Sequence, residues 1–499
     1  MTRRAAYLLA LAALPGCTRA RAPAAEAKRA QVASCHYDVT VRPGRPLGLD
    51  VDASCAGADI GGFVASEPAS IPHFNRVRGA DSRPLVHHGA RWALPHVKPG
   101  AHVRYHLDLD AVATDAQDFD VAERVGDSLV APVSTWILRP DPLPGAAPVT
   151  IAVHTPPHIR FISGLTPAGP VYSLETQEIR VGAYSVFGNF DLARFELPGP
   201  GALSRGTHAT SQITVATLDA PFDPSHALLT RWVRDSATAV ARFWGGFPVK
   251  HALVIVMPTE GRASVVFGEL LPESSPAIVV RVGQHTGCQS LYGDWVLVHE
   301  LFHTGSPSYV GEGKWFDEGL ATYYEPLIRA RAGWLHESDV WKEFANAMPE
   351  GLPTLASEGL ESARSYKGIY WGGAIMVLLA DMQMRRASGG RRGLEDGMRA
   401  VLGDGGDATK VWGLKRTLRT ADTAVGTHAL EQLAAEHAHR ADPVALDTVL
   451  RQLGVIRHGR SVELDNSAPL AAVRQAMIFG GKPAPKHIDH CAAPPDPTK

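Results

Sequence analysis

The stretch 295-WVLVHELFHT-304 constrains this chain more than any other, because it sets His299 and His303 four residues apart with Glu300 between them. At 3.6 residues per turn, positions i and i+4 share one face of a helix, so both imidazoles can point at a single metal ion while Glu300 turns to its side. This is the H-E-x-x-H pattern, in which two His hold Zn²⁺ and the Glu acts as general base on a water. Leu291, Trp295, Val298 and Phe302 recur at three- and four-residue spacing and supply the apolar stripe by which such a helix is buried. A third ligand is still required, and the fold must bring it to this helix.

After His303 the chain passes through the turn 304-TGSPSYVGEGK-314 into 315-WFDEGLATYYE-325. Leu320, Tyr323, Tyr324 and Leu327 give this second stretch the apolar face of a helix. Glu318 is the acid on it that can return toward the metal. Two His and one Glu with an open position form a catalytic rather than a structural zinc arrangement. Glu325, seven residues after Glu318 on the same face, reads first as an exposed helix-face acid and second as a partner behind the ligands.

With two motifs in this order the sequence resembles the gluzincin metallopeptidases, specifically the glycyl aminopeptidase and aminopeptidase N families. Their second helix reads W-x-x-E-G-x-A-x-Y, and Trp315, Glu318, Gly319, Ala321 and Tyr323 match it at every fixed position. The resemblance covers residues 220 to 390, with a weaker likeness in the N-terminal half. It implies a thermolysin-like catalytic domain, one Zn²⁺ with Glu318 as third ligand, and a peptide substrate. The segment 370-YWGGAIMVLLADM-382 resembles the helix that opens Y-x-K-G in these enzymes, which implies that Tyr370 hydrogen-bonds the oxyanion. Gly372 stands where the family has Lys, and Tyr366 is the reserve candidate. Aminopeptidase N relatives carry G-A-M-E-N on an edge strand, its Glu binding the free amine of the substrate. Here 266-VFGELLPESSPAIVV-280 occupies that place, with Glu273 favoured by spacing and Glu269 nearly as well placed. Fourteen residues separate His303 from Glu318, fewer than is usual in the aminopeptidase N family, so the connection must be tight.

At 499 residues the chain exceeds what one core usually serves. A formal net charge of −2 gives no basic footprint for nucleic acid. Arg3 and Arg4 precede the apolar run Ala5 to Leu14, long enough for a signal-peptide core and too short to span a bilayer. The run ends in 14-LPGC-17, similar to the bacterial lipoprotein box apart from Pro15, which implies a lipid on Cys17. Of the five Cys, four then remain, and an exported chain can oxidise them. Cys35 with Cys55 is the favoured pair. Cys288 with Cys491 would tie the tail to the start of the metal helix, one of three possible pairings of four Cys.

The expected architecture is α+β and multidomain. A lipoprotein-type signal peptide (1–17) and a tether (18–34) precede a β-sandwich-like region (35–220) of short alternating strands such as 37-YDVTV-41, 102-HVRYHLDLD-110 and 211-SQITVATLD-219. A zinc metallopeptidase domain (221–393) follows, opening on an amphipathic helix over 224–244, then a helical C-terminal region (394–480) and a tail (481–499). His87 and His88 read as surface residues, 385-RRASGGRRG-393 as a basic loop, and 486-KHIDHC-491 as a solvated tail. The expected function is an exported zinc-dependent metallopeptidase of the bacterial cell envelope, touching the membrane only through its lipid, with aminopeptidase action in the lead. A zinc endopeptidase and a non-catalytic, peptidase-like surface binding protein remain the alternatives.

Overall fold

The computed structural model describes residues 34–492, apart from 144, 146, 176–178, 180–181 and 273–274. The signal peptide with Cys17, the tether up to residue 33, Glu273 and the end of the tail lie outside the described residues.

Alternation in the N-terminal region becomes a two-sheet sandwich. Strand β1 (Ser34–Arg42) buries Cys35, Tyr37, Val39 and Val41 and pairs antiparallel with β2 (Gly48–Ala65). Cys35 lies directly opposite Cys55 in that register, and a disulfide joins them. These strands belong to a nine-stranded sheet; a four-stranded sheet containing β3 (Ser128–Pro132) and β4 (Tyr184–Gly188) packs on it. Leu129, Ala131 and Phe187 face the first sheet's core, whereas Val130, Tyr184 and Val186 face a second core that includes Leu253, Ile255 and Met257. Both faces of this middle sheet are therefore covered, and every residue of β3 and β4 is buried. His87 and His88 are exposed.

The next sheet carries the metal-binding half. Its strand order is β5-β6-β7-β9-β8, with β5 (Phe190–Pro198), β6 (Thr210–Leu218), β7 (His251–Thr259), β8 (Val265–Leu271) and β9 (Ala277–Gly283). This moves a boundary. The segment 211–219 reads as a sandwich strand, but β6 runs parallel to β7, so this sheet takes in residues from 190 rather than from 221. Alternation shows that a strand exists and leaves open which sheet it joins. Strand β8 is antiparallel to β9 and forms one edge.

Helix α1 (His226–Trp244) covers the sheet, capped by the Ser225 side chain at its start and ended by Gly245 in the left-handed region at φ 81°. The metal helix is shorter than its apolar stripe suggests. Leu291 lies on a separate turn, α2 (Cys288–Gly293), and α3 (Val296–His303) starts afresh after Asp294, whose carboxylate accepts the Val296 N–H at 2.7 Å. Trp295 is 38% exposed and belongs to the surface rather than to the buried stripe.

Helices α4 (Lys314–Arg331) and α5 (Gly373–Ala387) pack behind α3. The C-terminal helices α6 (Leu394–Gly403), α7 (Leu414–Val425), α8 (Ala429–His437), α9 (Leu446–Gln452) and α10 (Ala471–Phe479) share one core with α3, through residues such as Met398, Leu430 and Met477 beside Leu297 and Leu301. Within the region expected to be helical, two segments are strand: Val411–Trp412 pairs with Ser308–Tyr309, and Val455–His458 forms a hairpin with Ser461–Leu464. Arg385, placed in a basic loop by its sequence, ends α5 as a buried partner of Asp381. The tail is not simply solvated: Cys491 is bonded to Cys288, Ile488 N–H donates to Gly333 at 2.9 Å, and His490 stacks on Tyr292 with ring centroids 4.4 Å apart. No helix among the described residues is long and apolar enough to cross a membrane.

Candidate metal centre

His299 and His303 leave α3 on the face that meets α4. His299 is 1% exposed, and its Nε2 lies 3.2 Å from Glu318 Oε2, while His303 Nε2 lies 3.6 Å from the same oxygen. One donor atom from each of the three residues falls within 4.8 Å of the others. Donors about 2.0–2.2 Å from a tetrahedral ion are about 3.3–3.6 Å apart, so the set fits a single Zn²⁺. His303 Nδ1 lies 3.2 Å from Asp317 Oδ1, which fixes the ring so that Nε2 is the free donor. His299 Nδ1 is buried without a hydrogen-bond partner, and its ring is held by packing between the Trp295 edge at 5.2 Å and the stacked Tyr370 ring at 5.6 Å.

The local charges follow from this crowding. Burial opposes ionisation of Glu318, but contacts with both His rings outweigh it and hold the carboxyl well below the usual range. Burial raises Glu300 and the two His pull it back only in part. The Asp317 and Glu318 carboxylates overcome burial to keep His303 more basic than an ordinary imidazole.

The W-x-x-E-G-x-A-x-Y stretch is legible residue by residue. Trp315 Nε1 donates to Glu361 at 2.6 Å, and Glu361 also accepts the Gly313 N–H at the start of α4. Gly319 sits against the backbone of Gly373: a Cβ on Gly319 would lie 2.4 Å from Gly373 C, and one on Gly373 would lie 2.0 Å from Trp315 O. Tyr323 donates to Asp381 at 2.9 Å, which in turn holds Arg385 and the Leu394 N–H at the start of α6. Within the motif Glu318 turns to the two His, while Gly319 and Tyr323 seat α4 against α5. Glu325 is buried at 2% exposure and paired with Arg329 at 2.5 Å, so the exposed-acid reading is overturned.

That glycine contact brings Tyr370 over the site. Tyr370 lies on a π-helical turn, Gly368–Gly372, that leads into α5, and lines the same cavity as Glu300, His303 and Glu318. Burial and the facing Glu318 carboxylate push its phenol well above the ordinary value. Tyr366 stacks on the outside of Tyr370 at 4.0 Å and is half exposed. Gly372, where the family has Lys, is pressed against Gly351: a Cβ on Gly351 would lie 2.3 Å from Gly372 N.

The edge strand closes the other wall. Gly268 rests on α3, where a Cβ would meet Val296 Cγ1 at 2.4 Å and Glu300 Cγ at 2.9 Å. Glu269, the next residue, lines the cavity of about 260 Å³ with Glu300 and Glu318. Its carboxyl is pushed up to about 7 by burial first, then by Asp120 and Glu300. Asp120 comes from the sandwich, where it accepts the Tyr184 hydroxyl at 2.8 Å. Phe119 beside it packs on Phe267 at 5.4 Å, and Arg281 makes a two-pronged pair with Glu123 at 2.8 and 2.9 Å. Two residues of this site escaped the sequence reading. Asp317 could have been found, since it adjoins Glu318 on a helix that must face two His. Asp120 could not, because nothing local marks it.

No protein-family model matches the sequence, and no curated protein matches it. Among solved structures the chain is similar to an aminopeptidase N family protein from Idiomarina loihiensis, with a TM-score of 0.63 and 13% identity, covering 85% of this chain and 78% of that one. It is similar also to an M1 zinc metallopeptidase from Deinococcus radiodurans, with a TM-score of 0.46 and 15% identity over 83% of this chain and 96% of that one. A variant M1 zinc metallopeptidase from the same organism, bound to the substrate Tyr-Ser-Ala, gives a TM-score of 0.48 at 15% identity over 83% and 96%. The chain therefore has the multidomain α+β fold of the aminopeptidase N family protein.

Proposed function

We propose that this protein is a zinc-dependent metallopeptidase that removes residues from peptides with a free N-terminus. The observation that carries the reading is the meeting of His299, His303 and Glu318 with Glu300, Tyr370 and Glu269 around one cavity, in a fold shared with an aminopeptidase N family protein.

His299, His303 and Glu318 would hold the ion. When bound, zinc supplies Lewis-acid polarisation of the scissile carbonyl and lowers the pKa of water to about 7. Glu300 accepts a proton from the attacking water and delivers it to the leaving amine. Burial raises its carboxyl above the ordinary value, as suits a group placed to carry a proton. The Tyr370 phenol, which stays protonated throughout the neutral range, donates to the oxyanion as the carbonyl carbon becomes tetrahedral. Glu269 and Asp120 offer paired carboxylates to the substrate's ammonium group, whose arrival neutralises the repulsion that raises Glu269. This favours exopeptidase over endopeptidase action.

The test uses purified protein with zinc and matched peptides bearing free or acetylated N-termini. Turnover of the free peptide should depend on zinc, fall about 10²–10⁴-fold in Glu300→Gln, and drop sharply on acetylation. Equal background hydrolysis by wild type and Glu300→Gln sinks the enzyme reading; indifference to acetylation favours the endopeptidase.

Export and anchoring through Cys17 belong to the same proposal. Arg3, Arg4, the apolar run and 14-LPGC-17 support it, as do two disulfides suited to an oxidising compartment. A Cys17→Ser variant should leave the membrane fraction of expressing cells; retention there would reject the lipid anchor.

A further inference from the structure

We infer that Tyr366 is a positioning residue for peptide hydrolysis: its ring, not its hydroxyl, holds the Tyr370 phenol over the metal site. The inference rests on the metallopeptidase reading and deepens it.

The backbone beneath Tyr370 is seated by glycine. In 368-GIYWGG-373 a Cβ on Gly368 would lie 2.3 Å from Thr354 Oγ1, and one on Gly372 would lie 2.8 Å from Leu360 Cδ2. Ser365 pins the start of the turn, its Oγ accepting the Gly368 N–H and its carbonyl the Ile369 N–H, each at 3.0 Å. These contacts fix where the Tyr370 backbone sits. They leave the direction of its side chain open, because positions 368, 372 and 373 carry no side chain to flank it. A jump between staggered χ1 rotamers would carry the hydroxyl away from the metal ligands.

Two rings supply the missing constraint. His299 lies nearly parallel to Tyr370, with 7° between the planes and 5.6 Å between centroids. Tyr366 stacks against the other side at 4.0 Å and 27°. Four residues apart on helical backbone, the two tyrosines share a face, which is what lets the rings meet. The two outer rings differ in kind. His299 is buried and belongs to the ligand set, whereas Tyr366 is 52% exposed and stands between Tyr370 and solvent. Tyr370 is thus clamped from the interior by a residue the metal already requires, and from the outside by one the metal does not.

Tyr366 does not line the cavity, and its hydroxyl makes no hydrogen bond to a described residue. Its one ring contact among the described residues is Tyr370. With half its surface in water, it does less for the core than a buried aromatic, and its contact is concentrated on a single side chain. A stacked aromatic pair shifts an equilibrium by up to about tenfold beyond what its buried area gives.

The experiment is a double-mutant cycle on the full zinc-loaded protein with one free-amine tripeptide. Tyr366→Ala should lower kcat about tenfold, with KM and the zinc affinity read by chelator competition little changed. Tyr366→Phe, which keeps the ring, should recover most of the loss. In a Tyr370→Phe background, where the donor is already gone, Tyr366→Ala should cost little more. Calorimetry with a phosphinic tripeptide, whose tetrahedral phosphorus stands in for the reacting carbon, should repeat the pattern, with binding about tenfold weaker in Tyr366→Ala and mostly restored in Tyr366→Phe. Unchanged kcat in Tyr366→Ala overturns the assignment. An equal loss in Tyr366→Phe also does, since the hydroxyl would then be the working group, and so does a full tenfold loss in the Tyr370→Phe background, since Tyr366 would then act on its own. If wild type hydrolyses no peptide, the peptidase reading falls, and the phosphinic binding pattern still decides whether Tyr366 holds the phenol.

Discussion

The two walls of the cleft are made in different ways. The metal wall, α3 and α4, is built from residues within about twenty positions of one another, each placed by helical periodicity. The edge-strand wall joins β8 and β9 to sandwich residues that lie far earlier in the chain, where Arg281 grips Glu123 and Phe267 packs on Phe119. Metal chemistry can be written locally, because a ligand set depends on side-chain identity at fixed spacing. The pairing of Glu269 with Asp120, to which the proposal gives the substrate's amine, depends on which segments happen to touch. The first wall is fixed by local geometry, the second by assembly.

The strongest way to break the comparison is at the point where the walls meet. Gly268→Ala puts a methyl group into Val296 and Glu300 and must displace the strand or the base; a shift near 1 Å can cost about 10²-fold, so kcat should fall on that order while zinc content is unchanged. Equal kcat in this variant would show that the strand can drift freely. Asp317→Asn acts on the metal wall alone and should weaken zinc binding about 10–100-fold, read by competition with a chelator, without altering the preference for a free amine. Asp120→Asn acts on the other wall: it removes the repulsion on Glu269, so the titration near pH 7 should move toward the ordinary carboxyl range, and KM for free-amine peptides should rise roughly tenfold with zinc affinity intact.

The smallest effect is expected at the start of α3. Burial lifts the Asp294 carboxyl from 3.8 to about 6. A raised folded-state pKa means that the associated stability is fully present below the unfolded value and is lost as pH climbs through the folded one, here between 3.8 and about 6. Asn can still accept the Val296 N–H and carries no charge, so Asp294→Asn should gain in Tm relative to wild type as pH rises from 4 to 7. Parallel Tm profiles would remove Asp294 as the source.

What the sequence made legible divides along the same line. His299, Glu300, His303 and Glu318 could be read because two helical motifs occur in the right order, and Tyr370 because a resemblance carried it. The strand at 211–219 was legible as a strand and not as a member of the second sheet, since alternation reports half-burial and carries no address. Trp295 fitted the apolar stripe of α3, yet the helix begins one residue later and leaves it at the surface. Glu325 looked like a solvent-facing acid because its partner Arg329 is an equally polar residue, and only packing shows both to be inside. Asp120 was invisible for the plainest reason: its role exists only after two distant segments have met.

The bridge between Cys288 and Cys491 spans 203 positions and encloses α3, α4, α5 and the C-terminal helices in one covalent ring. A protease that nicks any exposed loop inside that ring, such as the segment around Gly389 and Gly390, opens the ring without dividing the molecule. Both pieces stay attached through the sulfur bond, immediately ahead of the metal helix. The ring turns a chain break from a dissociation into a scar.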